Sequence, residues 1–383
     1  MLEHQVEEGI DLCHKGVLLD KVGHRKHINP VASTIQTEIT RAGIISFARF
    51  MELALYDCDH GYYRKSHIGK AGDFFTNVSV GPLFGQMLAY YLARELAPLP
   101  GEIQIAEAGA NDGSLAADIL RWLNTNRPEF AQRLTYYIVE PIPELQQRQR
   151  DKLSNTPRAT VPTTPKIEWK TTLENLPQIN GAILSNELLD AFPIHFFRWS
   201  KSQNDWQEIG VTMDKNSNFT FAPLPDAPTF DALSDLKPLE PYLPENFTVE
   251  FSPTAEAWAE TAARKLTQGL FLASDYGDES TALWTPARAQ GTLRAYRNHK
   301  LADNPLADPG EQDLTAHVNF TRIRAALQRA GLTVSPLQPQ STFLTNFAAE
   351  FLTNPTDRDI RQFQTLTHPD HLGRAFKLLL AKR

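Results

Sequence analysis

The stretch Ile103-Gln104-Ile105-Ala106-Glu107-Ala108-Gly109-Ala110-Asn111-Asp112-Gly113 constrains the fold more than any other part of this chain. A short alternating apolar run ends in an acid and two glycines. Leu115-Ala116-Ala117-Asp118-Ile119-Leu120 then continues at helical spacing. The pattern predicts strand, tight turn, helix. In open α/β sheets the turn after the first strand faces a nucleotide-like ligand. Glycine suits that turn because the backbone must bend sharply and approach the ligand with no Cβ in the way. A loop that merely joins a buried strand to a helix would read the same, so the rest of the chain has to decide.

The rhythm recurs downstream. Leu134 to Glu140 is a β-rich run ending in an acid, followed by a helical pattern from Pro143 to Leu153. Glu140 lies 33 positions after Glu107, and an acid at the tip of the second strand is where nucleotide-binding α/β folds grip a ribose diol. Capping of the next helix is the competing role. Ile167-Glu168-Trp169 predicts a short third strand, and Gly181-Ala182-Ile183-Leu184-Ser185 a fourth that is buried on both faces. The fourth opens directly into Asn186-Glu187-Leu188-Leu189-Asp190. Its two acids, at i and i+3, can point the same way on a helical turn.

Residues 195–250 break the rhythm with paired strands around a Lys201–Asp205 turn and a Pro-rich segment, which predicts a cap inserted beside the active face. The sheet resumes with a helix near Thr254–Leu266 and the strand Gly269–Gly277, and a strand near Phe376–Leu380 ends the chain. Upstream, Ile45–Tyr56 has helical spacing with Ser46 as its N-cap. Gly72-Asp73-Phe74-Phe75-Thr76 precedes a long helix at about Gly81–Leu96. A loop of that composition either caps a neighbouring core or closes over a ligand. The expected organisation is a poorly ordered extension over 1–36, an N-terminal helical lid region over 37–100, and a Rossmann-like α/β domain over 101–383 that carries the insertion.

A net charge of −7, from 38 basic and 45 acidic residues, argues against a general nucleic-acid binder. Cys13 and Cys58 form neither a disulfide framework nor a metal pattern, so a reducing compartment is the default. No apolar run approaches the length of a membrane-spanning helix. Glu3, Glu7, Glu8 and Asp11 make the N-terminus unlike a targeting peptide. The expectation is a cytoplasmic protein with no metal, no nucleic-acid partner and no membrane span.

The spacing of Gly109 and Gly113 is not the G-x-G-x-x-G of dinucleotide sites, and no G-x-x-x-x-G-K-[ST] phosphate loop is present. Acids flanking the turn suit a cofactor that lacks phosphates and carries positive charge. S-adenosylmethionine meets both conditions, with a ribose for Glu140 and a sulfonium that acids tolerate.

The chain also resembles a known family. The segments Ala54-Leu55-Tyr56, His60-Gly61-Tyr62-Tyr63, Gly72-Asp73-Phe74-Phe75-Thr76, Glu107–Gly113, Asn186–Pro193, Asp275-Tyr276-Gly277, Gly291-Thr292-Leu293-Arg294 and Pro309–Thr315 are similar, in order, to the MidA family. The similarity runs over roughly residues 44–382. These are S-adenosylmethionine-dependent methyltransferases, among them the mitochondrial complex I assembly factor that methylates an arginine of a complex I subunit. The resemblance implies a Rossmann-like class I methyltransferase sheet with an N-terminal helical lid and an inserted cap subdomain. It implies that Glu107, Gly109, Asn111, Gly113 and Glu140 hold the cofactor, with Gly72, Asp73 and Thr76 closing over it. The family turn usually has glycine where Asn111 stands, and asparagine tolerates left-handed backbone better than most residues.

An acceptor arginine is always charged and a poor nucleophile. A carboxylate pair that hydrogen-bonds two guanidinium nitrogens orients the third. Glu187 and Asp190 are the expected pair, with Asn186 orienting them and Asp313 or His317 as a second acidic or basic group. Tyr62 and Tyr63 either line the acceptor channel or belong to the core. The expected activity is methylation of a protein arginine, with a respiratory complex I subunit as the implied partner. Methylation of a small metabolite is one alternative, and an assembly chaperone that binds S-adenosylmethionine for structure is another. The number of subunits does not follow from the sequence.

Overall fold

The computed structural model describes residues 29–65, 76–154, 165–225, 231–297 and 300–383. At its centre is a sheet whose main strands, in chain order, are β1 (Ile103–Ala108), β2 (Leu134–Val139), β3 (Lys166–Lys170), β4 (Ile179–Asn186), β5 (Leu266–Asp278), β6 (Thr333–Val334) and β7 (Phe376–Lys382). Their spatial order is β6-β7-β5-β4-β1-β2-β3. Neighbours are parallel except at β7, which runs antiparallel to both β5 and β6. The chain leaves β1 toward β2 and β3, then returns to place β4 on β1's other side. That reversal opens a crevice at the strands' carboxyl ends, where open α/β sheets bind their ligands. This is the Rossmann-like sheet expected from the strand–helix rhythm.

Side-chain alternation sorts the two faces. Ile103 and Ile105 join one core with the helices Leu83–Leu96 and Ser114–Asn126. Ala106 and Ala108 join the other with the helices Pro253–Lys265 and Phe320–Arg329. Glu107 therefore shares the face of Ile103 and Ile105, which matters below.

The segment expected to be a poorly ordered extension over 1–36 overlaps a helix, Pro30–Ala42, capped by Asn29, whose Oδ1 accepts from the Ala32 amide at 3.1 Å. Its buried face is only Val31, Ile35 and Ile39, a stripe one residue wide, which explains why no sustained period shows in sequence. The next helix, Phe47–Tyr56, starts at the Ser46 cap as expected, with Ser46 Oγ accepting from the Arg49 amide at 3.1 Å.

The insertion is not a free-standing cap. Strands His195–Ser200 and Asp205–Met213 pair antiparallel as expected, and Ile45 and Ser46 add to the same five-stranded sheet opposite Val211 and Gly210. Phe47 packs on Phe196 and Phe221, and Phe50 on Phe219. The N-terminal helices and the insertion thus share one core. Helix Leu83–Leu96 packs on the central sheet instead and belongs with it. Among the described residues, no helix is long and apolar enough to cross a membrane.

Candidate active site

The turn after β1 is left-handed at alternate positions: Gly109 has φ +70°, Asn111 φ +49° and Gly113 φ +82°. A Cβ on Gly109 would stand 2.8 Å from Leu188 Cδ1, so only glycine lets the loop after β4 close on the turn. Asn111 takes the left-handed geometry that its family counterpart meets with glycine. Asp112 Oδ1 accepts the Ser114 amide at 2.9 Å and starts the following helix.

Gln149, fully buried, ties this turn to the tip of β2. Its Nε2 donates to Asn111 O at 2.8 Å and to Glu140 Oε2 at 3.2 Å, while Trp169 Nε1 donates to its Oε1 at 3.0 Å. Glu140 Oε1 accepts the Ile142 amide at 3.1 Å. Glu140 therefore does cap local backbone, yet each carboxylate oxygen keeps a lone pair for a ligand hydroxyl.

These groups border a cavity of about 600 Å³, within the usual range for a cofactor. Gly109, Asn111, Glu140 and Glu187 contribute polar edges, and Leu188, Phe192 and Trp258 form apolar walls. Its described lining includes four acids, Glu52, Glu140, Glu174 and Glu187, and no lysine, arginine or histidine. Burial pushes the Glu140 carboxyl up to about 7 and that of Glu187 up to about 8. A cation seated here would return both to the ionised form. The donor set therefore fits a phosphate-free, positively charged cofactor such as S-adenosylmethionine. Gly109, Asn111 and Glu140 are the expected cofactor residues that line the cavity.

The acids after β4 sit on a loop with its own support. Glu187 is left-handed at φ +54°, and its amide donates to Ser274 O at 2.9 Å. Asp275, at the end of β5, accepts the Leu188 and Leu189 amides on Oδ2 at 3.0 and 2.8 Å. Burial lifts Asp275 to about 7. Asp190 is pushed well above the carboxylate range by burial and then by the charges of Asp275, Asp313 and Glu187. Asp313 Oδ1 accepts the Tyr63 hydroxyl at 3.0 Å, and Tyr56 donates to Ala191 O at 2.9 Å. Asn186 Nδ2 donates to Glu187 Oε1 at 2.9 Å. Glu187, Asp190, Asp313 and Asn186 are thus brought together, and of these four Glu187 lines the cavity. Tyr63 lines the cavity, whereas Tyr62 is core.

Three expected residues stand elsewhere. Glu107 is 2% exposed and does not line the cavity, because strand parity turns it to the other face, where Tyr136 donates to its Oε2 at 2.6 Å. Its role is to pair β1 with β2 beneath the turn. Thr76 spends its hydroxyl on a helix cap, accepting from the Ser79 amide at 3.1 Å. His317 borders a separate cavity of about 30 Å³. Its Nδ1 must accept from Arg288 Nη1 at 2.8 Å, since guanidinium only donates. Burial and Arg288 hold it down to about 4, so it is neutral. Gly72 and Asp73 lie outside the described residues. Gln149, Asp275 and Asn77 (discussed below) were not anticipated. Only Asp275, at a strand's carboxyl end, had a positional signal.

A family model described as an S-adenosyl-L-methionine-dependent methyltransferase matches residues 87–338, well over half of the chain. The chain belongs to this family. This methyltransferase is 27% identical over 371 residues to the mitochondrial protein arginine methyltransferase NDUFAF7 of Danio rerio, covering 90% of this chain and 84% of that one. It is 26% identical over 382 residues to the Homo sapiens protein of the same name, covering 91% and 82%. A crystal structure from Burkholderia thailandensis, bound to S-adenosyl-homocysteine, aligns with a TM-score of 0.83 at 30% identity, covering 92% of each chain. The methyltransferase fold, the MidA-like membership and S-adenosylmethionine as cofactor follow.

The cytoplasmic assignment does not stand, because the curated relatives are named as mitochondrial proteins. Cys13 and Cys58 bear only on redox state, and a reducing environment is not peculiar to the cytoplasm.

Proposed function

We propose that this methyltransferase acts on the guanidinium of a protein arginine. The observation that carries the reading is the convergence of Glu187, Asp190 and Asp313 after β4. The largest charges acting on Glu187 and Asp190 are all carboxylates. Buried carboxyls so grouped are stable only when protonated or beside a cation. A guanidinium supplies that cation, and its planar fork of donors matches carboxylate oxygens two at a time. Glu187 and Asp190 accept from two of its nitrogens and leave the third directed at the methyl donor. Asn186 orients Glu187, and Tyr63 holds Asp313.

S-adenosylmethionine, when bound, supplies a methyl group on sulfonium. Gly109, Asn111 and Glu140 seat it, and alignment of the two reactants carries most of the rate. As the nitrogen–carbon bond forms, the acceptor nitrogen must lose a proton. Glu187, held ionised by the cation beside it, takes it. The relatives' name, protein arginine methyltransferase, supports the same acceptor. A respiratory complex I subunit is the partner that the family resemblance implies.

Transfer of labelled methyl into candidate proteins, followed by peptide mapping, tests this. The label is expected on arginine and absent with Glu187→Gln. Label on another residue or on a small metabolite, or undiminished labelling by a folded Glu187→Gln protein, would refute it.

A further inference from the structure

We propose that a buried relay of three side-chain amides, Gln340, Asn77 and Asn186, is a positioning device for Glu187, fixing which atom of each amide faces the next. The inference rests on the reading of Glu187 as the carboxyl that orients the acceptor. The three amides come from distant parts of the chain: the helix Gln340–Thr345, the helix Asn77–Val80 and the end of β4. Gln340 and Asn77 are fully buried.

The relay's direction is dictated at its far end. Leu366 O is a main-chain carbonyl and can only accept, so the group facing it at 3.0 Å must be Gln340 Nε2. The second hydrogen of that nitrogen goes to Asn77 Oδ1 at 2.8 Å. Asn77 must then present Nδ2 to Asn186 Oδ1, at 3.2 Å, and Asn186 must present Nδ2 to Glu187 Oε1, at 2.9 Å. Turning over any one amide would set oxygen against oxygen or N–H against N–H. Gln340 Oε1 has no partner among the described residues. The Asn77 backbone amide adds a second donor to Glu187 Oε1 at 3.3 Å.

The consequence is chemical. Oε1 of Glu187 is occupied by two protein donors, while Oε2 has no partner among the described residues and belongs to a group that lines the cavity. Glu187 therefore meets its ligand through one oxygen, and the donors on the other favour its ionised form. Gln340 and Asn77 do not line the cavity as described. Their side chains act through Asn186, and Asn77 also reaches Glu187 with its own backbone amide.

A purely structural role would cost stability and leave the titration of Glu187 where it is. The test uses the full chain carrying Gln340→Met, which keeps length and removes both donors, and Asn77→Ala as a second variant if the first does not fold. Carbon-13 labelling of glutamate carboxyls, with the Glu187 signal assigned by its loss in Glu187→Gln, follows the pKa directly. The relay predicts that Glu187 titrates about one unit higher, and that kcat/KM near neutral pH falls about tenfold at unchanged cofactor affinity. Folded variants that bind S-adenosylmethionine normally while Glu187 titrates as in the parent would overturn it. If the relay variants shift the titration but Glu187→Gln still methylates at the parent rate, the relay stands and the role given to Glu187 falls.

Discussion

Cofactor binding should release a proton from Glu140. Burial holds this carboxyl up to about 7, against the Ile142 and Gln149 donors that favour its charged form. A ribose diol needs an acceptor at both oxygens, which the protonated form cannot provide. Affinity is therefore expected in full above the folded-state pKa and to be lost as pH falls through it. With a midpoint near 7, the ionised fraction is about 3% at about pH 5.5 and about 76% at about pH 7.5, so Kd should differ about 25-fold between them. In the free protein the sign is opposite. The folded chain retains a proton that the unfolded chain has already lost, so Glu140 contributes less stability as pH rises from the ordinary carboxyl range to about 7. Calorimetric titration with S-adenosylmethionine in two buffers of different ionisation enthalpy reads both Kd and proton release. Near pH 6, release should approach about 0.9 proton per site. Glu140→Gln should abolish the release and flatten the pH profile. A parent protein whose Kd does not vary over this window, with no proton released, would show that Glu140 is not the ribose acceptor.

Other substitutions separate the remaining roles. Gly109→Ala drives a methyl group against Leu188 at φ +70°, and a cost of about 1–2 kcal/mol should weaken cofactor binding about tenfold in the same calorimetry. Asn111→Gly should bind the cofactor within about twofold of the parent, whereas Asn111→Val, β-branched at φ +49°, should melt lower by about 1–2 kcal/mol of stability. Glu187→Gln should lower kcat at least about 100-fold while leaving cofactor Kd within about threefold, measured by labelled-methyl transfer and calorimetry. His317→Gln should leave kcat within about twofold across the pH profile, because this neutral, Arg288-bound imidazole borders a cavity separate from the one that Glu187 lines. A collapsed rate there would restore it as the base.

The central sheet was readable because its signals are local. β1, β2 and β4 each pair an apolar run with an acid or amide at the carboxyl end, and the turn glycines announce themselves. The acids Glu187 and Asp190 could be read for the same reason. What sequence could not give was strand parity at Glu107, where a one-residue step decides between cavity and core. It also gave no warning that the hydroxyl of Thr76 and the imidazole of His317 already have partners. Gln149 sits in a polar helix among Gln146 and Gln147, and nothing local distinguishes it. Its importance comes from Asn111 and Trp169, 38 positions before it and 20 after. The shared sheet of Ile45 and Val211 is likewise a long-range pairing that no periodicity reports.

β7 has a consequence for how the protein is made. It occupies Phe376–Lys382, far from β5 in the chain, and lies between β5 and the short edge strand β6. β5 is therefore made well before the strand that covers its outer edge. Until β7 arrives, β5 presents an unpaired edge bearing Leu270, Phe271 and Leu272, the kind of edge that recruits foreign strands. The amide relay begins at Gln340 and Leu366, so the alignment of Glu187 also waits for the chain's final segment. Nascent chains should accordingly need protection until β7 has paired, and they should become competent for methyl transfer only after that.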